Sequence, residues 1–359
     1  MIRKDEFIFQ PNEFIKRVKN GVATKGTTMQ NRLDNEALLI LGMSRSGTSA
    51  TAGALHILGV HLSSNLKAPD RSNPRGYFEP DFMPNLDRKM MEVFGRSWSD
   101  PRQLPSGWEH DPRFLPFKEQ IRNHLLEEFF GKPFWGLKYP NLSRLLPIWL
   151  PLLNELGVKI KILIVARKPT EVAASLQVYN HLPLELSMAL WLGHIVPAIL
   201  ETVAMKRSII LYEDLMENGP AEIERIASEL ELPISLVDDE KRKAITKFLS
   251  RDLRHHHEPV PERTQGPWLG WANEAYGEMG HWRHEKKVNQ KIFEDIFDAM
   301  REVEEKSTPY TQYIDHVKSN AEQVLSEYLS SYSMRITKPL RLMKKGLLSL
   351  KKNPQKKKT

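Results

Sequence analysis

The sequence predicts an α/β fold: a central parallel sheet flanked by helices, with a helical extension at the C-terminus. Apolar runs of strand length recur at residues 38–41, 158–165 and 207–211, and stretches of helical spacing separate them. Strands that alternate with helices pair in parallel through right-handed crossovers. Beyond about residue 255 the apolar spacing is helical only. A chain of 359 residues, 40% apolar and 27% charged, has the length and balance for one large soluble α/β domain plus an extension.

Each element has a local reason. Residues 1–35 are polar and of mixed charge, and read as a lead-in. Leu38-Leu39-Ile40-Leu41 is continuously apolar, as a strand covered on both faces must be. The loop Gly42-Met-Ser-Arg-Ser-Gly-Thr-Ser49 follows, and Ala54, Leu55 and Leu58 then recur at helical spacing. Residues 63–113 are rich in Pro, Asn, Asp and Arg and read as long functional loops with short helices. Residues 132–140 (KPFWGLKYP) read as a short strand running into a loop. The strand over 158–165 leads to ARKPTEVAAS, where Pro169 suits a first helical turn and Glu171 a helix N-terminus. A helix over 184–205, a strand over 207–211 and an amphipathic helix over AEIERIASELEL complete the alternation. KIFEDIFDAMREVEE and YIDHVKSNAEQVLSEYL each carry an apolar stripe.

Composition excludes several functions. With no cysteine, disulfides, thiolate zinc sites and cysteine nucleophiles are absent. The net charge of +7 is local: residues 335–358 hold ten Lys/Arg and no acid, and the remainder has 42 basic against 45 acidic residues. A nucleic-acid groove needs its positive charge on the fold, so no nucleic-acid partner is expected. The basic tail over 335–359 fits either a peripheral membrane contact on anionic lipid or a solubilising segment. The N-terminal residues show no apolar signal region, and the longest uncharged run, 186–200, reads as a buried core helix. A cytoplasmic protein, peripheral to a membrane if the tail binds one, is the expectation.

The loop at 42–49 raises the functional question. It approaches the G-x-x-x-x-G-K-[ST] pattern that cradles nucleotide phosphates, but Thr48 stands in the lysine position and Arg45 lies three residues earlier. A Gly-rich turn between a buried strand and a helix presents backbone N–H groups and a positive dipole end to an anion. Ser46, Thr48 and Ser49 add hydroxyls. No strand ends in an obvious magnesium-binding acid; Asp214 is the nearest. An anion without a γ-phosphate, and without a required metal, suits this loop. Arg167 closes the strand over 158–165, and Ser175 follows on the next helix. Ligands of open parallel sheets bind at the carboxyl ends of the strands. The loop and Arg167 therefore point to a nucleotide with two separated anionic groups.

Together these residues resemble the sulfotransferase family that uses 3′-phosphoadenosine 5′-phosphosulfate (PAPS). RSGTS looks like its 5′-phosphosulfate loop, and Arg167-Lys-Pro-Thr-Glu-Val-Ala-Ala-Ser175 looks like its 3′-phosphate motif R-x-P-x-x-V-x-x-S. WGLKYP and LYEDL are similar to segments of its carbohydrate and tyrosylprotein branches, and NPRGYFE to bacterial members. Tyr139 departs from the acidic or small polar residue often found there, and no R-K-G loop of the cytosolic branch is present. The likeness covers roughly residues 36–255. It implies a P-loop-NTPase-like three-layer domain over 36–255, a helical extension over 256–334 and the tail over 335–359.

It also implies roles. Ser46, Gly47, Thr48 and Ser49 would hold the 5′-phosphosulfate, and Arg167 and Ser175 the 3′-phosphate. Arg45 would stand beside the bridging oxygen, and Lys138 would face the sulfuryl oxygens or form a loop salt bridge. Glu79, beside aromatic residues, is the favoured general base over His61 and His56, against an ion pair with Arg71 or Arg75. Sulfuryl transfer to a hydroxyl or amine of a glycan, lipid or small-molecule acceptor is expected, with Trp98, Trp108, Tyr77 and Phe78 as sugar stackers or core plugs. Trp135, Trp149 and Trp191 read as core, and His255-His256-His257 as a solvated loop rather than a metal site. A P-loop kinase or NTPase, and a non-catalytic scaffold with this fold, are the competing readings.

Overall fold

The computed structural model describes residues 32–70, 73–234, 238–249 and 266–330. The chain forms two compact units, Met1–Met300 and Arg301–Thr359. Four parallel strands make the sheet of the first unit: β1 (Glu36–Leu41), β2 (Phe134–Lys138), β3 (Lys159–Ala166) and β4 (Lys206–Leu211), in the spatial order β2-β1-β3-β4. Ile40 lies opposite Lys138 on one side and Leu163 on the other.

Alternation along the two central strands builds two cores. Ala37, Leu39 and Leu41 of β1, with Ile162 and Ile164 of β3, face one core, while Leu38, Ile40, Leu163 and Val165 face the other. Both faces are apolar because both are covered by helices, which explains the unbroken apolar runs. The larger core is closed by α3 (Leu115–Phe129), α4 (Leu146–Glu155), α5 (Pro169–Asn180) and α6 (Leu184–Glu201). The second is closed by α1 (Thr48–Ile57), α8 (Gly219–Glu229) and α9 (Asp239–Phe248). A helix α2 (Met83–Glu92) lies within the loop-rich stretch, and the short α7 (Tyr212–Glu217) continues directly from β4. This is the three-layer parallel α/β arrangement that the apolar runs predict.

Trp135, Trp149 and Trp191 are fully buried, as expected. Helix α6 is long and apolar enough to cross a membrane, yet most of it is buried in the core, and His194 and Pro197 sit inside it. The core also runs past residue 255, where the sequence reading ends the domain. Helix α10 (Trp268–Glu285) buries Ala272, Ala275 and Met279 in the larger core, and the first turns of α11 (Gln290–Ser330) add Phe293, Ile296 and Met300. The two stripes read after residue 290 belong to this one helix, which continues through Pro309. The lead-in up to residue 31, Arg71, the triple histidine and the basic tail lie outside the described residues.

Candidate anion site at the carboxyl ends of the strands

The chain leaves β1 for β2 on one side and then returns to β3 and β4 on the other. The sheet therefore changes direction between β1 and β3, where open α/β sheets place their ligands. The loop after β1 and Arg167 after β3 flank this point.

Sterics require both glycines of the loop. Gly42 has φ 143, and a Cβ there would stand 2.3 Å from the Val165 carbonyl oxygen. Its N–H donates to Ser143 Oγ at 2.9 Å, tying the loop to the segment after β2. Gly47 has φ 91, and a Cβ would stand 2.4 Å from the Tyr212 ring. Gly47 caps α1 with no side-chain hydrogen bond, and the first helical bond runs from Thr51 N–H to Gly47 O. The N–H groups of Thr48, Ser49 and Ala50 thus precede any intrahelical acceptor and point out of the helix end. Ser46 is fully buried, and its Oγ has no hydrogen-bond partner among the described residues. Buried hydroxyls are normally paired, so this one fits a ligand oxygen.

Arg45 adopts φ 70, the left-handed region that a β-carbon disfavours at a cost of about 1–3 kcal/mol. The turn directs its side chain across the loop. Nε donates to Ser175 Oγ at 2.9 Å, and the guanidinium lies 4.4 Å from the centre of the Tyr179 ring. Burial lowers its pKa from the usual guanidinium value. Arg167, also buried, donates from Nε and Nη2 to Glu171 Oε2 at 2.9 and 2.7 Å and from Nη1 to the Arg45 carbonyl at 3.4 Å. Tyr212 underlies it at 4.6 Å. The loop, Arg167 and Ser175, more than a hundred residues apart in sequence, therefore make one surface. A hydroxyl that accepts from Arg45 keeps its own O–H to donate.

On the other side of β1, Lys138 ends β2 almost fully buried. Its Nζ donates to Ser49 Oγ at 3.1 Å, to the Tyr77 carbonyl at 3.0 Å and to Glu79 Oε2 at 3.1 Å. Burial lowers the pKa of this ammonium, and Glu79 opposes the shift. Glu79 is equally buried, with Lys67 Nζ at 3.4 Å from its second oxygen. Its ionic partners here are two lysines; the sequence reading weighed arginines. Lys138 thus links the anion loop, through Ser49, to the only carboxylate it contacts in these bonds.

The histidines weighed as bases lie elsewhere. His61 pairs with Trp135, about three residues or 10 Å along β2 from Lys138, and its Nε2 bonds to Glu128 at 2.8 Å. His56 is exposed and packs on Phe78. Asp214 pairs with Arg283, at 3.1 Å. Trp108 and Phe78 are packed into the cores, whereas Trp98 is 43% exposed. Among the described residues no cluster of His, Asp and Glu could hold a metal.

Sequence reasoning missed a buried polar cluster next to this pair. Asn141 Nδ2 lies 2.7 Å from Asp87 Oδ2, and its Oδ1 lies 3.0 Å from His194 Nε2; His194 Nδ1 lies 2.7 Å from the Leu190 carbonyl. As drawn, both imidazole nitrogens must donate, which makes His194 a cation. Burial, however, lowers the His194 pKa to about 3 and raises that of Asp87 to about 7. A neutral His194, a protonated Asp87 and a reversed Asn141 amide satisfy the three bonds of this chain and leave only Asp87 Oδ1 without a partner among the described residues, and amide orientation follows from such networks. Nothing in PNLDR on α2 signals this; only the fold brings Asp87 to Asn141.

No family model matches the chain, and no curated protein matches it in sequence. Solved structures that it is similar to include several sulfotransferases. The sulfotransferase domain from the Synechococcus PCC 7002 olefin synthase is 13% identical, with a TM-score of 0.42 over 70% of this chain and 98% of that one. Sulfotransferase STF1 from Mycobacterium tuberculosis H37Rv is 14% identical, with a TM-score of 0.35 over 59% and 71%. Mouse sulfotransferase SULT7A1, complexed with PAP, is 13% identical, with a TM-score of 0.32 over 74% and 89%.

Proposed function

We propose that the protein is a sulfotransferase that moves the sulfuryl group of PAPS to a hydroxyl of an acceptor. One observation carries the reading. A phosphate-cradling loop without the nucleotide lysine is closed by Arg45 onto Ser175 and is touched through its own carbonyl by Arg167. A loop of this kind suits one anionic group, and Arg167 with Ser175 suits a second. The orphaned Ser46 hydroxyl and the close-packed Gly42 and Gly47 are the features that fit a phosphate at the loop.

The co-substrate supplies a sulfuryl group on a phosphate leaving group; the chain supplies position and charge. Backbone N–H groups at the start of α1, with the hydroxyls of Ser46, Thr48 and Ser49, hold the 5′ end. Arg167 and Ser175 hold the 3′-phosphate. Arg45 stabilises the charge that grows on the leaving oxygen, and Lys138, positioned by Ser49, the charge on the transferred group. Preorganised donors of this kind cost no reorganisation during reaction. Glu79 accepts the proton of the attacking hydroxyl on a lone pair not engaged by the lysines, a role generally worth about 10²–10⁴-fold.

The test is transfer of labelled sulfate from PAPS to a panel of glycan, lipid, peptide and small-molecule hydroxyls. Labelled product with release of adenosine 3′,5′-bisphosphate is expected. Binding of the bisphosphate without transfer to any acceptor would turn the reading toward a non-catalytic scaffold.

A further inference from the structure

The second unit begins within α11, and its helical residues carry a run of exposed apolar side chains. Tyr310 is 74% exposed, Ile314 61%, Val324 64% and Tyr328 58%. Their spacing is regular. From Val303, steps of four and three residues alternate without interruption through Ser307, Tyr310, Ile314, Val317, Ala321 and Val324 to Tyr328. Every position is apolar except Ser307. A strict seven-residue repeat is the pattern of a helix that winds on another helix. A helix lying on a membrane needs only a one-sided face, and favours basic flanks on anionic lipid. Here residues 301–328 hold six acids against three Lys/Arg, which opposes an anionic surface.

We propose that this stripe is the interface of a homodimer, formed with the same helix of a second copy in antiparallel orientation. Side-chain size selects the orientation and register. Aligned about the midpoint between residues 315 and 316, Tyr310 of one copy meets Ala321 of the other. Val303 then meets Tyr328, Ser307 meets Val324, and Ile314 meets Val317. Each large side chain faces a smaller or slimmer one, as an interdigitated seam requires. The same register brings Lys306 of each copy within two residues, about 3 Å along the axis, of Glu327 of the other, a reciprocal charge pair on the edge of the seam. A parallel, in-register pair would instead set Tyr310 on Tyr310 and Tyr328 on Tyr328. It would also set Ser307 on Ser307 and Ala321 on Ala321, with no charge pair at the flanks. Pro309 falls on the outer side of the repeat, so its ring and missing N–H stay out of the seam. Two copies together cover on the order of 1,200 Å², the lower end of what stable interfaces bury.

Because the chain has no cysteine, cross-linking of the full-length protein is clean. Under mild oxidation, the double variant Ser307→Cys/Val324→Cys is expected to form a covalent dimer, whereas Ser307→Cys alone and Val324→Cys alone remain uncross-linked. Cross-linking of either single variant, or none in the double variant, overturns the antiparallel register. Light scattering at tens of micromolar is expected to give a dimer for the native sequence and a monomer for Ile314→Asp, with unchanged PAPS-site behaviour in both. A monomer for the native sequence overturns the dimer. So does an apolar stripe that binds anionic vesicles and loses that binding with Ile314→Asp.

Discussion

Replacing Ser46 by alanine should move stability and ligand binding in opposite directions. Ser46 is fully buried and its Oγ meets no hydrogen-bond partner among the described residues. A buried polar atom left unpaired costs about 1–3 kcal/mol. Alanine removes the hydroxyl and leaves little void, since only one atom is lost. The ligand-free protein should therefore gain on the order of 1 kcal/mol. If the hydroxyl instead serves a phosphate oxygen, its loss removes a hydrogen bond to a charged group, worth about 1.5–3 kcal/mol. That converts to roughly a 10- to 150-fold weaker Kd for adenosine 3′,5′-bisphosphate. Denaturant unfolding of the ligand-free variant and titration calorimetry with the bisphosphate measure the two terms separately. A variant less stable than the parent by more than 1 kcal/mol would show that the hydroxyl serves the fold. Unchanged affinity would remove Ser46 from the site.

Other substitutions divide the roles further. Arg45→Ala should lower turnover far more than bisphosphate affinity, whereas Arg167→Ala should weaken affinity by about 2–5 kcal/mol because the 3′-phosphate loses its cation and faces an unpaired Glu171; kcat and Kd measured together decide, and the reverse pattern refutes the assignment. Gly42→Ala should destabilise by about 1–3 kcal/mol or more, since its Cβ meets backbone of β3 that cannot yield; a chemical-unfolding midpoint equal to the parent's would contradict this. The Asp87 carboxyl is raised by burial from an unfolded value near 3.8 to about 7. Its contribution is fully present below the lower value and is lost as pH rises through the upper. The stability of Asp87→Asn relative to the parent should therefore climb by up to about 4 kcal/mol between pH 4 and 8; a flat difference across that range would show that Asp87 is ionised in the fold.

The fold was legible because its cause is local. Leu38–Leu41 and Ile162–Val165 are apolar at every position, and only a sheet covered on both faces needs that. The helices after residue 265 were legible as helices but not as part of the core, because Ala272 and Ala275 are too small to advertise burial. At the site, glycines and hydroxyls between strand and helix marked the loop, and strand ends marked Arg167 and Lys138. Their contacts were not readable: the Arg45–Ser175 bond depends on a left-handed backbone at Arg45, and the Lys138–Glu79 pair joins a strand end to a distant loop. Asp87, Asn141 and His194 lie on three separate segments whose apolar neighbours set the local pattern, so nothing along the chain announces that they meet.

The most direct test of a sulfuryl-donor site is calorimetric comparison of adenosine 3′,5′-bisphosphate with magnesium–ATP on the native protein. Two separated anionic subsites, at the 42–49 loop and at Arg167 with Ser175, predict micromolar binding of the bisphosphate without magnesium, with no heat from magnesium–ATP. Magnesium-dependent binding of ATP, with none of the bisphosphate, would contradict the account and return the loop to the nucleoside triphosphates.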